Sequence, residues 1–391
     1  MHGFGVETRG EVGPYRAQSP ASPTRRARHD PQSPTLAAVM HIRRSDSSRG
    51  TRSTGSLQPW HDHDGARRRC PSPDLPPGCP PKTLAASIRR GETEVLIRGV
   101  FIATSALPVD PVEHHGLLAL AHQLRNPNLV ASHETAALAH RLPLSHTLEA
   151  AARQPRFTRP PVGLARGSRE PRVLVRVLPA DAIVTRDGGL LAGVRLTGPA
   201  RTALDLAAER PLPEALMLTD AVARSTLAAF RGGLAGLGDD QLSHAARAAA
   251  CRPLYQAIAC PVHERVSVAQ ALEHTEPLRE SPSESLSFGH IVAAGLPAPR
   301  CQVRLETNRG VVRVDFYWEE FDLIGECDGR IKYDGSLGDA SEAMVHQSAR
   351  EQALRDRGHG VVRWSAAAMA YRPEIVVDEV AARLRSRGWC G

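Results

Sequence analysis

The chain has 391 residues, 41% of them hydrophobic but only 4% aromatic, and no apolar run reaches the ~18 residues needed to cross a bilayer; a membrane-spanning helix is excluded and two or three packed domains fit the length. The formal charge is +7, but residues 1–80 hold twelve arginines against seven acids while the rest of the chain is near balance, so global charge says little about the folded part. Seven scattered cysteines, an odd number, argue against a disulfide framework and for reduced thiols in a cytoplasm, and the opening MHGFGVETRG lacks the apolar core of a signal peptide.

Residues 1–80 also carry eleven prolines and nine serines with hardly any apolar periodicity, so they are expected to be disordered, or to be a start-site artefact of an arginine- and proline-rich reading frame. His61, His63, Cys70 and Cys79 lack the C-x₂₋₄-C spacing of a zinc site. From Lys82 the composition changes. Leu84 to Arg90 reads as a short helix and Glu94 to Ala103 as a strand pair or wing, giving an element over 82–104. Arg89 and Arg90 on the helix would enter a groove, and Arg98 on the wing would hold a phosphate. Ile97-Arg98-Gly99-Val100-Phe101 after a basic helix resembles the close of the winged helix-turn-helix of AbiEi-type antitoxins, although the two helices that should precede it are not evident in residues 70–81. An ordinary helix–hairpin packing element is the competing reading.

Residues 105–250 read as a mixed α/β region. Val112 to Arg125 and Val130 to Arg141 are expected helices, the second starting near Ser132-His133-Glu134, where His133 reads as a capping or packing residue. Pro171 to Pro179 alternates as a strand. Arg201 and Asp205, four apart on the helix after Thr197-Gly198-Pro199, would pair along its face as a structural ion pair. The runs "SHETAA" at 132–137 and "RTALDL" at 201–206 also resemble the antitoxin-like middle region. Residues 230–250, rich in Gly and Ala, would join helices leading to a last domain at 275–391, with Pro277 and Pro282 at its boundary.

That domain reads as a helix from Ser283 to Ala294 capped by Ser283, a strand at Gln302–Glu306, a hairpin from Arg313 to Lys332, a helix over Ser341–Arg357, a strand at Val361–Trp364 and a helix from Pro373 to Arg385. Around a turn near Glu319 and Glu320, simple alternation puts Val312, Val314, Phe316 and Trp318 on one face with Phe321, Leu323 and Cys327. Arg313, Asp315 and Tyr317 fall on the other with Asp322, Glu326 and Asp328. Carboxylates so close repel unless a cation lies between them, and Mg²⁺ would suit an all-oxygen set; a plain solvated acidic face is the alternative. Lys332, one of only two lysines in the chain, falls just beyond the acids.

The order α-β-β-β-α-β-α, with Val314-Asp315-Phe316 leading into Gly325-Glu326-Cys327-Asp328-Gly329, resembles the restriction-endonuclease-like PD-(D/E)XK nucleases, and more narrowly the domains related to very-short-patch repair endonucleases. The resemblance implies that Asp315 and Glu326 ligate Mg²⁺ and that Glu284 is the accessory acid. It departs where the family has lysine two residues after the second acid, since Asp328 stands there; Lys332 would substitute from four residues further on. Arg350, Arg355 and Arg357 on the following helix would meet the nucleic-acid backbone. Two functions follow. One is Mg²⁺-dependent phosphodiester hydrolysis on DNA in phage defence or repair. The other is a non-enzymatic, antitoxin-like DNA-binding regulator, with a cognate toxin or defence-system partner, that keeps the nuclease fold as a scaffold.

Overall fold

The computed structural model describes residues 41–42, 81–146, 154–160, 173–186, 193–258, 265–329 and 348–391, all in one unit spanning Thr35–Gly391. Lys332, the first turns of the helix expected from Ser341, and His61, His63, Cys70 and Cys79 of the proline-rich tail lie outside the described residues. Among the described residues no helix is long and apolar enough to cross a membrane.

The first element is a strand, β1 (His41–Ile42), in the stretch expected to be disordered. It pairs antiparallel with β3 (Val100–Ala103), whose outer edge is otherwise open, and β3 pairs on its other side with β2 (Thr93–Ile97). Helix α1 (Pro81–Arg89) precedes this hairpin, so a helix and a strand pair stand where they were expected.

Helix α2 (Pro111–Arg125) begins where Asp110 accepts from the amide of Val112 at 2.7 Å, with proline at a favourable first position. Val130 and Ala131, counted with the next helix from sequence, instead form β4 (Val130–Ala131), and α3 (His133–His140) starts after it. Two fully buried residues cannot show alternation, which is why a strand so short escapes a pattern reading. β5 (Phe157–Arg159), β6 (Val173–Val175), β7 (Ile183–Thr185) and β8 (Arg195–Thr197) complete a mixed sheet of order β6-β5-β4-β8-β7. Of the strand expected over Pro171–Pro179, Val173–Val175 form β6 and 176–179 do not continue it, residues 171–172 lying outside the described residues. Two helices follow, α4 (Pro199–Ala207) and the long α5 (Leu212–Arg231), then α6 (His244–Ala257) and α7 (Arg265–Glu273).

The last part runs α8 (Pro282–Ala293), β9 (Arg300–Thr307), β10 (Gly310–Trp318), β11 (Leu323–Asp328), α9 (348–355), β12 (Gly360–Ser365), α10 (Ala366–Tyr371) and α11 (Pro373–Ser386). This is the expected order, with the short α10 added. The sheet order is β12-β11-β10-β9; the first three strands in sequence are antiparallel, and β12 returns parallel to β11 after the crossover that contains α9. The cap of α8 is Ser281 rather than Ser283: its hydroxyl accepts from the amide of Glu284 at 3.2 Å and donates to the Glu284 carboxylate at 2.8 Å. The sequence Ser281-Pro-Ser-Glu284 has the spacing of a capping box, though the carboxylate reaches the Ser281 hydroxyl and the Glu280 amide rather than the Ser281 amide, and with proline at the first helical position it outcompetes a start two residues later.

One apolar core joins α4 and α5 to α8, the inner face of the last sheet and α11, from Ala137 to Leu384. A second packs α2 and α3 on the middle sheet, and a third lies between the outer face of the last sheet and Leu354 of α9. Two glycines permit close approaches in the first core. A Cβ on Gly289 would lie 2.4 Å from the Pro213 backbone, and one on Gly325 would lie 2.8 Å from the ring of Trp364.

Candidate functional site

The expected acidic residues converge at the meeting of α8, β9, β10 and β11. Because Phe316 pairs with Gly325 and Trp318 with Leu323, the same register carries Asp315 to the level of Glu326. Simple alternation along β10 fails at this point. Val312 and Val314 pack with Tyr317 and Ile324 towards α9, whereas Phe316 and Trp318 pack with Leu323 and Trp364 in the core shared with α8. The irregularity coincides with Gln302 in β9, whose φ is +56: the pairs on either side, Val314↔Val303 and Phe316↔Cys301, keep one register, but Asp315 and Gln302 between them are not paired. The face assignment made from sequence is therefore wrong for Val312 and Val314.

Gln302, unmarked in the sequence, links two of the acids. Its amide donates to Glu284 at 2.8 Å and to Asp315 at 3.3 Å. Glu284 also accepts from the amide of Glu280 at 2.8 Å, and Asp315 from the amide of Cys327 at 2.9 Å. Burial, then the charge of Asp315, raises the Glu284 carboxyl above its ordinary value. Asp315 is raised by burial, against the hydrogen bond from Cys327. Glu326 is pushed up to about 7 by burial and by Asp315, against the opposing pull of Arg350.

Two arginines answer the outer carboxylates. Arg350 of α9 donates to Glu326 at 2.9 Å and also to the carbonyl of Arg313. Arg363 of β12 grips Asp328 with two nitrogens, its Nε at 3.2 Å and its Nη2 closer. Asp328, standing where the resembled nucleases have lysine, is thus bound to a cation rather than offering one. Arg355 pairs with Glu351 at 2.5 Å on the exposed side of α9. Among the described residues no group of three or more His, Cys, Asp or Glu side chains is gathered as a metal cage.

The basic residues of the wing element are exposed. Arg90 is held by Glu92 through two bonds of 2.7 Å, while the Arg98 carbonyl accepts from Arg125 at 2.8 Å and ties the wing to α2.

A second polar cluster, unmarked in the sequence apart from His133, lies in the middle region. Arg156 donates to Glu209 at 2.6 and 2.7 Å and to the buried Glu134 at 3.4 Å, and Arg210 reaches Glu134 at 3.2 Å. His133 is fully buried with φ +51 and meets the Ser132 hydroxyl at 2.9 Å and Glu209 at 3.5 Å. Burial works to raise the Glu209 carboxyl, yet the nearby His133 and the bonds from Arg156 hold it well below the usual carboxylate range. Arg201 and Asp205 pair at 2.9 Å as expected, both are buried, and Asp205 also takes Arg176 at 3.1 Å.

This cluster lies inside a recognisable segment. Residues 129–237 match the family model of the AbiEi antitoxin C-terminal domain. No curated protein matches the chain. The AbiEi-like segment runs from β4 through α5, and it reaches beyond its own limits through Asp220, which accepts from Arg279 at 2.6 and 3.0 Å. Arg279 is fully buried and lies 4.2 Å over the ring of Phe288 on α8, so this ion pair, together with Arg224–Glu280 at 3.5 Å, fastens the AbiEi-like segment to the acid-bearing part.

Proposed function

We propose that the chain is an antitoxin-type, DNA-associated regulator whose C-terminal part, with the αβββαβ order of the PD-(D/E)XK nucleases, serves as a scaffold. The observation that carries this reading is the AbiEi-like segment at 129–237, built into one core with the elements around it. The state of the acidic site supports it. Glu284 is satisfied by Ser281, Gln302 and a backbone amide, Asp315 by Gln302 and a backbone amide, and Glu326 and Asp328 by arginines of the same chain. Contact with DNA is assigned to Arg89, Arg90 and Arg98, with Arg355 as a further exposed cation, and the protein partner is a cognate toxin acting with it in the cytoplasm. The test incubates the full chain with linear and supercoiled DNA: retarded migration without nicking in Mg²⁺ supports the reading, and free DNA throughout contradicts it.

A second reading, Mg²⁺-dependent phosphodiester hydrolysis, has one observation in its favour. Glu284, Asp315 and Glu326 lie near one another, and burial raises the proton affinity of each. Their oxygen donors suit a hard divalent ion, which Asp315 and Glu326 would hold with Glu284 beside them and Lys332 as the accessory cation. Such an ion would activate water and offset charge on the phosphate. Metal-dependent nicking, abolished in Asp315→Asn with Glu326→Gln, would establish this reading.

A further inference from the structure

We propose that residues 276–280, between α7 and α8, form a strap that couples α5 of the AbiEi-like segment to the last sheet, with Glu280 as its junction. A partner that shifts α5 then also changes how Glu284 and Arg313 are held. The strap acts in the same way under either reading of the acidic residues given above.

On the side of α5 it is held by two residues one helical turn apart, which face the same way. Asp220 accepts from the amide of Glu276 at 2.8 Å and from Arg279 at 2.6 and 3.0 Å. Arg224 donates to the carbonyls of Pro277 at 3.4 Å and Leu278 at 3.3 Å, and meets the Glu280 carboxylate at 3.5 Å. Between these contacts Leu278 is buried in a small apolar cluster with Leu227 of α5 and Ala250 of α6.

On the side of the sheet, both terminal nitrogens of Arg313 on β10 grip the Glu280 carboxylate, at 2.9 and 3.0 Å. The Glu280 amide donates to Glu284 at 2.8 Å, and Glu284 shares the Gln302 amide with Asp315. One oxygen of Glu280, Oε1, accepts from Arg224 and from Arg313 alike, so the strength of either bond depends on the other. The side chains of Arg224, Glu280 and Arg313 are 26%, 32% and 25% exposed, which screens these charges less than on an open surface. Arg313 also donates to the carbonyl of Leu237 at 3.1 Å, a link that bypasses Glu280 and is the natural control.

Coupling of this kind is reciprocal. Whatever binds the AbiEi-like segment and shifts α5 alters the hold on Glu284, and whatever binds at the last sheet alters α5 to the same extent.

The experiment is a double-mutant cycle on the full chain by urea denaturation, with wild type, Arg224→Met, Arg313→Met and the two combined, repeated in a Glu280→Gln background. The folding constant of the combined variant is expected to depart from the product of the single effects by roughly threefold or more, and the departure is expected to vanish in Glu280→Gln. Native-state hydrogen exchange gives a second readout: in Arg224→Met the Glu280 amide should exchange faster relative to that of Ile324, buried in the middle of β11. Additive effects, or a departure that persists in Glu280→Gln, would overturn the coupling. So would exchange at Glu280 that merely tracks Ile324, and this comparison decides alone should the combined variant fail to fold.

Discussion

Glu326 is 6% exposed between Asp315 and Arg350, and burial followed by the charge of Asp315 pushes its carboxyl from 4.5 up to about 7. A carboxyl whose proton affinity is raised by folding stabilises the native state when protonated. That contribution is complete below about 4.5 and is lost as pH climbs through about 7, because the native chain binds this proton more tightly than the unfolded one. Wild type should therefore lose stability relative to Glu326→Gln between pH 5 and pH 8, measured by urea denaturation at both values; parallel pH profiles for the two proteins would contradict the assignment. At this scale the sequence was partly legible. Asp315, Glu326 and Asp328 could be found by their spacing, whereas Glu284 was implied only by the resemblance; Glu284, Asp315 and Glu326 lie near one another and Asp328 is taken by Arg363. Gln302 could not, because an uncharged residue in a strand gives no signal until its backbone is known to be left-handed. The role of Arg350 was equally hidden: as one arginine among many on a helix it reads as a phosphate contact, and only the fold turns it back onto Glu326.

Elements were more legible than their ends. The hairpin, the returning strand and the last helix follow from alternation, turn residues and a proline at the first helical position, all local signals. What failed was of two kinds. The start of α8 was misplaced because two serines competed as caps, and the glutamate three residues after Ser281 decides between them. The faces of β10 were misassigned because alternation assumes regular extended backbone, and at Gln302 the backbone is left-handed and its pair with Asp315 is missing although the register continues. The crossing of α5 and α8 offers a test of packing. Gly289→Ala would place a methyl group 2.4 Å from the backbone of Pro213, where no side chain can yield. We expect a loss of about 1–3 kcal/mol in urea denaturation, with the m-value unchanged. A neutral substitution would mean that the two helices do not lie so close.

At the scale of the molecule, the AbiEi-like segment and the acid-bearing part share an apolar core and the buried Asp220–Arg279 pair. A buried pair is costly to break because the partner left behind remains charged and desolvated. Arg279→Met should therefore cost about 3–5 kcal/mol and destabilise both parts together in a single transition. Two separate transitions would show them to be independent. None of this was readable in the sequence, since Asp220 and Arg279 are 59 residues apart and neither belongs to a motif. The antitoxin-like character, by contrast, was readable in short runs such as 132–137 and 201–206, whose residues pack and pair inside the matched segment.

The central claim is that this chain meets DNA through its helix and wing, and the dependence of DNA affinity on salt tests it most directly. Each phosphate contact contributes about 0.9 to the slope of log affinity against log salt. The full chain should bind DNA with a steep slope that falls by about 2 in Arg89→Ala with Arg98→Ala, uniformly across sequences. Binding that is absent, or whose slope is unchanged by the two substitutions, would contradict the account.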